Sequence, residues 1–495
     1  MTDPIILHDY RKLVDSAYVG FTPNGGAIKP VHVANGIQRC IFGAYNSSDA
    51  IKRLALVTDA KGCIPQGNTN DLSTMYEELM DSDSLEDNVS ATSLESMRNV
   101  MQRLLSADKG AYVVKGLKDD MISFTAGSKF FLTRTSIYED TGEFIGGIIR
   151  TYCPALADYI RNLLNKAEDP ITLLFEPVIG DSSDSMKVFE KTRHEDLPIF
   201  TSQNDKVKWY IDGVYSSGMC LLSNLEQHPN ALTQLRLFNF FCIFHLLRYM
   251  VMLESFYCDE GIRPFLIDFS GKEPSQSSVA RSSEIAYTQM HKAINRFYAW
   301  GYANKLKEDG YSKEDLLALD TPVYDTKKKS TSELDTLWSL AKENVRICES
   351  EDEALLIFGE TMYDMLALEA SSHPVNCVKV LGTSSGMLYP PDRFHPNKRF
   401  VFSQDALEMV LRSAVLPNEV LSGAELRTRL WDRFGIIVGG GSEDMRRLQS
   451  SGMLLQIDED SLAHNFDAFA SVLESMDFAE EMADGILQIR LGGVN

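Results

Sequence analysis

Four groups of residues have types and spacings that chemistry uses. The first is Gly382-Thr383-Ser384-Ser385-Gly386, which matches G-x-S-x-G. In hydrolases this turn lifts a serine toward a histidine base, beside a backbone oxyanion hole. His395 and His464 lie downstream, and Asp392 or Asp405 is available as the acid. The chemistry requires strand, sharp turn and helix in succession. Residues 377–381 suit a strand, but Pro390-Pro391 follow closely and the sequence before is helical in pattern rather than sheet-forming. Ser384 is therefore read as part of a Gly/Ser loop.

The second group is Ile436-Ile437-Val438-Gly439-Gly440-Gly441-Ser442. A strand, a glycine run and a helix start can present free N–H groups to a phosphate. The pattern is not G-x-G-x-x-G, no P-loop lysine follows, and Glu443 and Asp444 would repel an anion. A tight turn between two helices is the simpler reading.

The third group is basic. Arg393, Lys398 and Arg399 flank Phe394, His395 and Phe400; Arg429 and Arg433 stand at i, i+4; Arg446 and Arg447 follow. Such side chains could track a DNA phosphate backbone or contact a partner protein. The surrounding module is net acidic, with Glu443 and Asp444 at the start of the third helix, so protein contact is favoured over DNA. The fourth group lies in residues 263–283, where Asp268, Lys272, Arg281 and several serines could converge on an anion or a metal. A polar loop between two long helices explains them more simply, yet this is the first place to expect an exposed functional loop.

Metal ligation finds less support. The nine histidines are His8, His32, His194, His228, His245, His291, His373, His395 and His464, and none stands at i, i+4 with another. Glu360 and Asp364 share a helix face and read as solvated surface. His245, on an apolar helix, reads as a hydrogen-bonded core histidine. No cofactor and no metal is expected.

The elements that position these groups change along the chain. Residues 1–60 mix short apolar runs with turn signals such as Asn24-Gly25-Gly26 and Asn35-Gly36, which fits short strands. An acidic, Ser-rich connection precedes a helix over 94–105, and 111–150 and 171–175 read as strands. From 206 to 370 the pattern is long helices, with 232–257 apolar nearly all round. Leu334 to Val345 and Glu353 to Leu368 give two more. Beyond 374 come compact elements. Ser403 caps one helix and Ser422 with Glu425 forms a capping box for the next. Ser442 starts a third, and Leu462, Phe466, Phe469 and Leu473 mark a fourth. Strands are expected at 454–457 and 486–491. The fold class is thus α+β: a mixed α/β region over 1–200, a helical bundle over 201–375 and a winged-helix-like module over 376–495.

Composition sets limits on these readings. The chain has 495 residues, 48 Lys+Arg against 70 Asp+Glu, a net charge of −22, and 44% hydrophobic residues. This length corresponds to about three domains at roughly 150 residues each, and the apolar content can bury a real core. The acidity argues against a surface that coats nucleic acid as a whole. The N-terminus lacks a secretory pattern, and the eight scattered cysteines contain no C-x-x-C, so free thiols in a cytoplasmic protein are expected. The apolar window 237–253 contains Asn239, His245 and Arg248, which suits a core helix rather than a membrane span.

The stretch KRFVFSQDALEMVLRSAV followed by RFGIIVGGG, together with RPFLIDFSGK and SSVARSS, resembles the accessory proteins of bacterial multi-gene anti-phage defence islands. The resemblance covers about a quarter of the chain and carries over no catalytic residue. It implies an intracellular bacterial protein working beside an ATPase, a nuclease or another effector. The sequence thus points to a non-catalytic scaffold or adaptor of a multi-protein complex, binding a partner protein or DNA through its C-terminal module. The alternatives are an enzyme of another family acting on nucleic acid or nucleotide, and a DNA-binding regulator.

Overall fold

The computed structural model describes residues 5–23, 28, 30–46, 90, 92–93, 96, 132, 139–166, 173, 186–189, 193–258, 260–325, 330–369, 373–392, 395–451, 457–482 and 487–491. In chain order the main elements are α1 (Leu7–Val14), α2 (Pro30–Phe42), β1 (Ala44–Asn46), α3 (Glu139–Tyr152), α4 (Pro154–Lys166), β2 (Met186–Val188), α5 (Asp205–Leu225), α6 (Ala231–Tyr257), β3 (Phe265–Leu266), α7 (Ser278–Glu308), α8 (Lys313–Ala318), α9 (Ser332–Ile347), α10 (Glu351–Ala367) and α11 (Pro374–Ser384). Then follow β4 (Leu388–Tyr389), β5 (Arg399–Phe400), α12 (Gln404–Arg412), β6 (Leu421–Ser422), α13 (Gly423–Phe434), β7 (Ile436–Ile437), α14 (Ser442–Ser450), α15 (Glu459–Ser475), β8 (Ala479–Glu481) and β9 (Leu487–Ile489). The described chain is mainly helical with a few short strands, an α+β composition.

Local sequence starts most of the later helices. The side chains of Ser277, Thr331, Ser350, Ser403 and Asp458 each accept a hydrogen bond from a backbone N–H in the first turn. Ser312 with Asp315 and Ser422 with Glu425 form reciprocal capping boxes. Each satisfies N–H groups that the helix itself leaves without partners.

Two compact units emerge, each built from separated stretches of chain. One comprises residues 1–26, 194–217 and 244–492; the other comprises 27–193, 218–243 and 493–495. In the smaller unit α2 packs on α3 and α4, burying Ile37, Cys40, Ile41, Phe144, Ile145, Ile148 and Ile160. Strand β1 pairs antiparallel with β2. In the larger unit α7 is the central element, with Met290, Ile294, Phe297, Tyr298, Tyr302 and Leu306 buried. It meets α10 so closely that a Cβ on Gly359 would stand 2.3 Å from the Ala299 carbonyl oxygen, which only glycine permits.

Helix α6 is long and apolar enough to cross a membrane, yet 89% of its most apolar window is buried inside the protein. Its polar residues are accommodated there. His245 Nε2 lies 3.1 Å from Ser217 Oγ. Arg248 stacks 4.1 Å from the Trp209 ring centroid and donates to the Tyr210 carbonyl, and burial pushes its guanidinium down to about 9. The aromatic face and the carbonyl engage part of this desolvated guanidinium, whose Nε and Nη2 have no hydrogen-bond partner among the described residues.

Several expectations are corrected. Among the described residues of 1–60 there is no set of short strands: α1 and α2 occupy most of these positions, and β1 is the one strand among them. Leu7, Tyr10 and Val14, and then Val33, Ile37 and Ile41, recur at helical spacing, a period masked by the intervening turn residues. Residues 139–150 are helix rather than strand. Residues 377–381 also belong to a helix, α11, in which Pro374 occupies the first turn and Val375, Val378 and Leu381 face inward. A short β-branched run does not distinguish a strand from a buried helix. The expected helix at 94–105 and the strands at 111–138, 171–175 and 454–456 fall outside the described residues, apart from isolated positions.

Candidate functional site

The basic side chains of the C-terminal module are engaged with the protein itself. Lys398 is fully buried; its Nζ donates to the carbonyls of Pro390 and, at 2.7 Å, Asp392. Burial, with Lys379 nearby, pushes this amine down to about 8. Arg399 lies 3.1 Å from Asp268 and donates to the Lys272 carbonyl at 2.9 Å. Arg429 holds both oxygens of Glu419, at 2.7 and 2.6 Å. Arg433 donates to the carbonyls of Ser413 and Ala414, at 2.8 and 3.0 Å. These carbonyls follow the last turn of α12, so Arg433 acts as a C-terminal cap for that helix.

Arg447 lies 3.2 Å from Asp444 and 4.9 Å from the Trp431 ring centroid. Arg446 is exposed and pairs with Glu443 at 3.1 Å. Arg393 lies outside the described residues. Of the expected contact residues that are described, Arg446 alone keeps its charge at the surface.

The loop after β3 behaves in the same way. Asp268 is buried and accepts from the Ser270 N–H at 2.9 Å and the Ser270 hydroxyl at 2.6 Å, facing Arg399 on its other side. Lys272 and Arg281 are exposed. Asp268 is committed to holding the loop. Around it, β3 pairs parallel with β7, and Ile267 bridges to Phe400. Ser283 Oγ ties two of these strands, donating to the Leu266 carbonyl at 2.8 Å and accepting from the Phe400 N–H at 2.9 Å.

Sequence inspection missed Asn465, which completes the junction from α15. Its Nδ2 donates to the carbonyls of Ile267 and Val438, both at 2.9 Å, and its Oδ1 accepts from the Phe269 N–H at 2.8 Å. A buried asparagine inside an apolar helix stripe was the only available signal.

The G-x-S-x-G segment has no nucleophile-elbow geometry. Ser384 ends α11 and is exposed, with helix rather than strand before it. The glycine run is a tight turn against α15. Gly439 and Gly440 have φ of +92° and +90°, and Cβ atoms there would stand 2.2 Å from the Leu462 carbonyl oxygen and 2.7 Å from Phe466 Cγ. Among the described residues no group of His, Cys, Asp or Glu has a metal-holding arrangement.

Two surfaces remain. The first is a pocket in the larger unit, walled by Phe244, Phe265, Phe400 and Phe402, with Tyr287 and His291 on its lining. Burial and the nearby Lys379 lower the His291 pKa, so the ring is neutral near pH 7. His373 lies 5.7 Å from it, ring to ring, and Tyr363 Oη stands 3.3 Å from the His373 ring nitrogens. No local motif marks this pocket, because its walls come from six separate elements.

The second surface is α15. Leu462, Asn465, Phe469 and Leu473 face inward, whereas Asp460, His464, Asp467, Ser471 and Glu474 form one exposed stripe. From 458 to 481 the chain carries eight acidic residues and no lysine or arginine. Helix α15 leads into β8 and β9, and the three-stranded antiparallel sheet has the order β6-β9-β8. No protein-family model matches the chain, and no curated protein matches it.

Proposed function

We propose that the chain is a non-catalytic adaptor subunit of a cytoplasmic multi-protein complex, and that its C-terminal module is a winged-helix variant that binds a basic face on a partner protein. The order α12, β6, α13, α15, β8, β9 with sheet order β6-β9-β8 agrees with the winged-helix connection, β7 and α14 being additions between the second and third helices. In that arrangement α15 takes the place of the recognition helix.

The observation that carries the choice of partner is the charge of α15. A helix that reads DNA approaches a dense row of phosphates and gains from cations. The exposed stripe of α15 presents Asp460, Asp467 and Glu474 instead, and like charge in that position opposes docking. The internal pairing of Arg399, Arg429 and Arg447 supports the same reading, since these cations are already neutralised. The resemblance to defence-island accessory proteins makes an effector ATPase or nuclease the class of partner to try first.

The test is affinity capture at native expression with the unaltered chain and with the triple variant Asp460→Lys/Asp467→Lys/Glu474→Lys. A stoichiometric partner retained by the first and lost by the second, with retention that weakens as salt rises, is the expected result. Salt-dependent binding of duplex DNA by the unaltered chain would overturn the assignment in favour of a DNA-binding regulator.

A further inference from the structure

The edge of the C-terminal sheet deepens the adaptor reading and rests on it. We propose that the basic partner carries an extended segment rich in lysine or arginine, and that this segment adds to the free edge of β8 as a fourth strand. The sheet order β6-β9-β8 leaves β8 paired on one side alone among the described residues. The register identifies the groups on the other side. The Arg490 N–H donates to the Phe478 carbonyl at 2.9 Å, so positions 478 and 490 turn toward each other. Facing alternates along an antiparallel pair. Ala479 stands opposite Ile489, Glu480 opposite Gln488 and Glu481 opposite Leu487. Glu480 therefore turns its backbone groups toward β9, whereas Ala479 and Glu481 turn theirs away. Ile489 likewise turns from β8 and pairs with Leu421 on its other side. The outward N–H and C=O groups of Ala479 and Glu481 have no partner among the described residues.

Charge selects the occupant. A free edge is a template for another strand unless its side chains oppose one. Glu480 and Glu481 are exposed, and α15, which leads directly into β8, adds the exposed Asp460, Asp467 and Glu474. A second copy of this chain pairing through β8 would set glutamate against glutamate, which is destabilising across a strand pair. A strand that bears cations meets opposite charge there instead. In such an addition the main-chain hydrogen bonds supply affinity and the side chains supply selectivity.

Fluorescence anisotropy of the labelled, end-blocked peptide Lys-Val-Lys-Val-Lys-Val-Lys against the full chain provides the test, with residue-resolved amide exchange alongside. Saturable binding is expected, weakening as salt rises. In its presence the Ala479 and Glu481 amides should exchange at least about tenfold more slowly, while the Glu480 amide, already turned to β9, should change little. Glu481→Gln removes the charge and keeps the N–H. Glu481→Pro removes both, at a position whose N–H the ladder does not use. The proline variant should bind the peptide about tenfold more weakly than the glutamine variant, the worth of one hydrogen bond. The exchange readout uses the unaltered chain, so it holds whether or not the proline variant folds. Equal affinity of the two variants, or amides left unprotected, would mean that charge alone holds the peptide; strand addition would fall and the adaptor reading would stand. Absence of saturable binding, or equal binding of the neutral peptide Thr-Val-Thr-Val-Thr-Val-Thr, would also overturn the proposal. Failure of the adaptor reading itself shows separately, in the capture experiment with the α15 variant, which leaves β8 unaltered.

Discussion

Arg399 Nε stands 3.1 Å from Asp268 Oδ2, with both side chains almost wholly out of water. The two residues come from different candidate sites in the sequence, one from a basic loop and one from a polar loop 131 positions earlier. Their meeting removes both from the list of free functional groups. The pair also fixes β5 beside the turn after β3, where the Asp268 N–H donates to the Phe400 carbonyl at 2.8 Å.

Removing one partner should therefore cost more than removing both. Asp268→Ala leaves the buried guanidinium with only the exposed Glu273 carboxylate, 3.6 Å away, as counter-charge, and is expected to destabilise the larger unit by up to about 3–5 kcal/mol. The double variant Asp268→Leu/Arg399→Met should recover most of that loss. Urea midpoints of the three proteins check this; equal losses for the single and double variants would contradict the pairing.

Asn465 is expected to matter for stability out of proportion to its size. Asn465→Leu fits an apolar stripe, but leaves the carbonyls of Ile267 and Val438 and the Phe269 N–H without their partners. A loss of at least about 2 kcal/mol follows from such orphaned groups. Hydrogen exchange at the Phe269 amide should accelerate in the same variant, and an unchanged exchange rate would refute the assignment.

At the glycine run, Gly440→Ala meets two penalties together. The residue must hold a positive φ, and its new Cβ must displace the Phe466 ring. We expect a loss of about 2 kcal/mol or more, measured as a lowered melting midpoint.

The acidic stripe makes the opposite prediction for stability. Asp460, Asp467 and Glu474 are exposed, so replacing all three by lysine should move stability little, by about 0.5 kcal/mol per site or less. The same triple variant should acquire duplex-DNA affinity that falls as salt rises. A mobility-shift series at several salt concentrations reads this directly, and no gain in DNA binding would count against α15 as the presented helix.

The pH dependence has a defined sign. Burial pushes His373 down to about 4, aided by the neighbouring His291 and the charge of Arg11. The unfolded chain takes up its proton near the ordinary value of about 6.5, so between these values the unfolded state binds more protons. The stability from keeping this ring neutral is complete above about pH 6.5 and is lost as pH falls toward 4. His373→Gln should flatten the stability curve over that interval relative to the unaltered chain. Parallel curves would remove His373 from the account.

Local sequence determined the parts governed by nearest neighbours. The Ser403 cap and the Ser422–Glu425 box stand where the residues indicated, because a cap is settled within four residues of chain. The long helices of the middle follow from an apolar period that any 15-residue window contains. Runs of five or fewer residues were not legible in the same way. Residues 377–381 are too few to separate a strand period from a helix period, and the surrounding packing selected the helix of α11.

Charge was the least legible feature. Arginines at 399, 429, 433 and 447 are alike in sequence to arginines that bind phosphate. Only the folded chain brings Asp268, Glu419 and the end of α12 within reach of the first three, whereas Asp444 stands three residues before Arg447 on the same helix. A side chain's availability depends on what the fold places within about 4 Å of it. The sequence by itself therefore determined that α15 is acidic and amphipathic. The tertiary structure decided that most of the C-terminal arginines are spent inside the protein, and that four phenylalanines from three separated segments share one cavity.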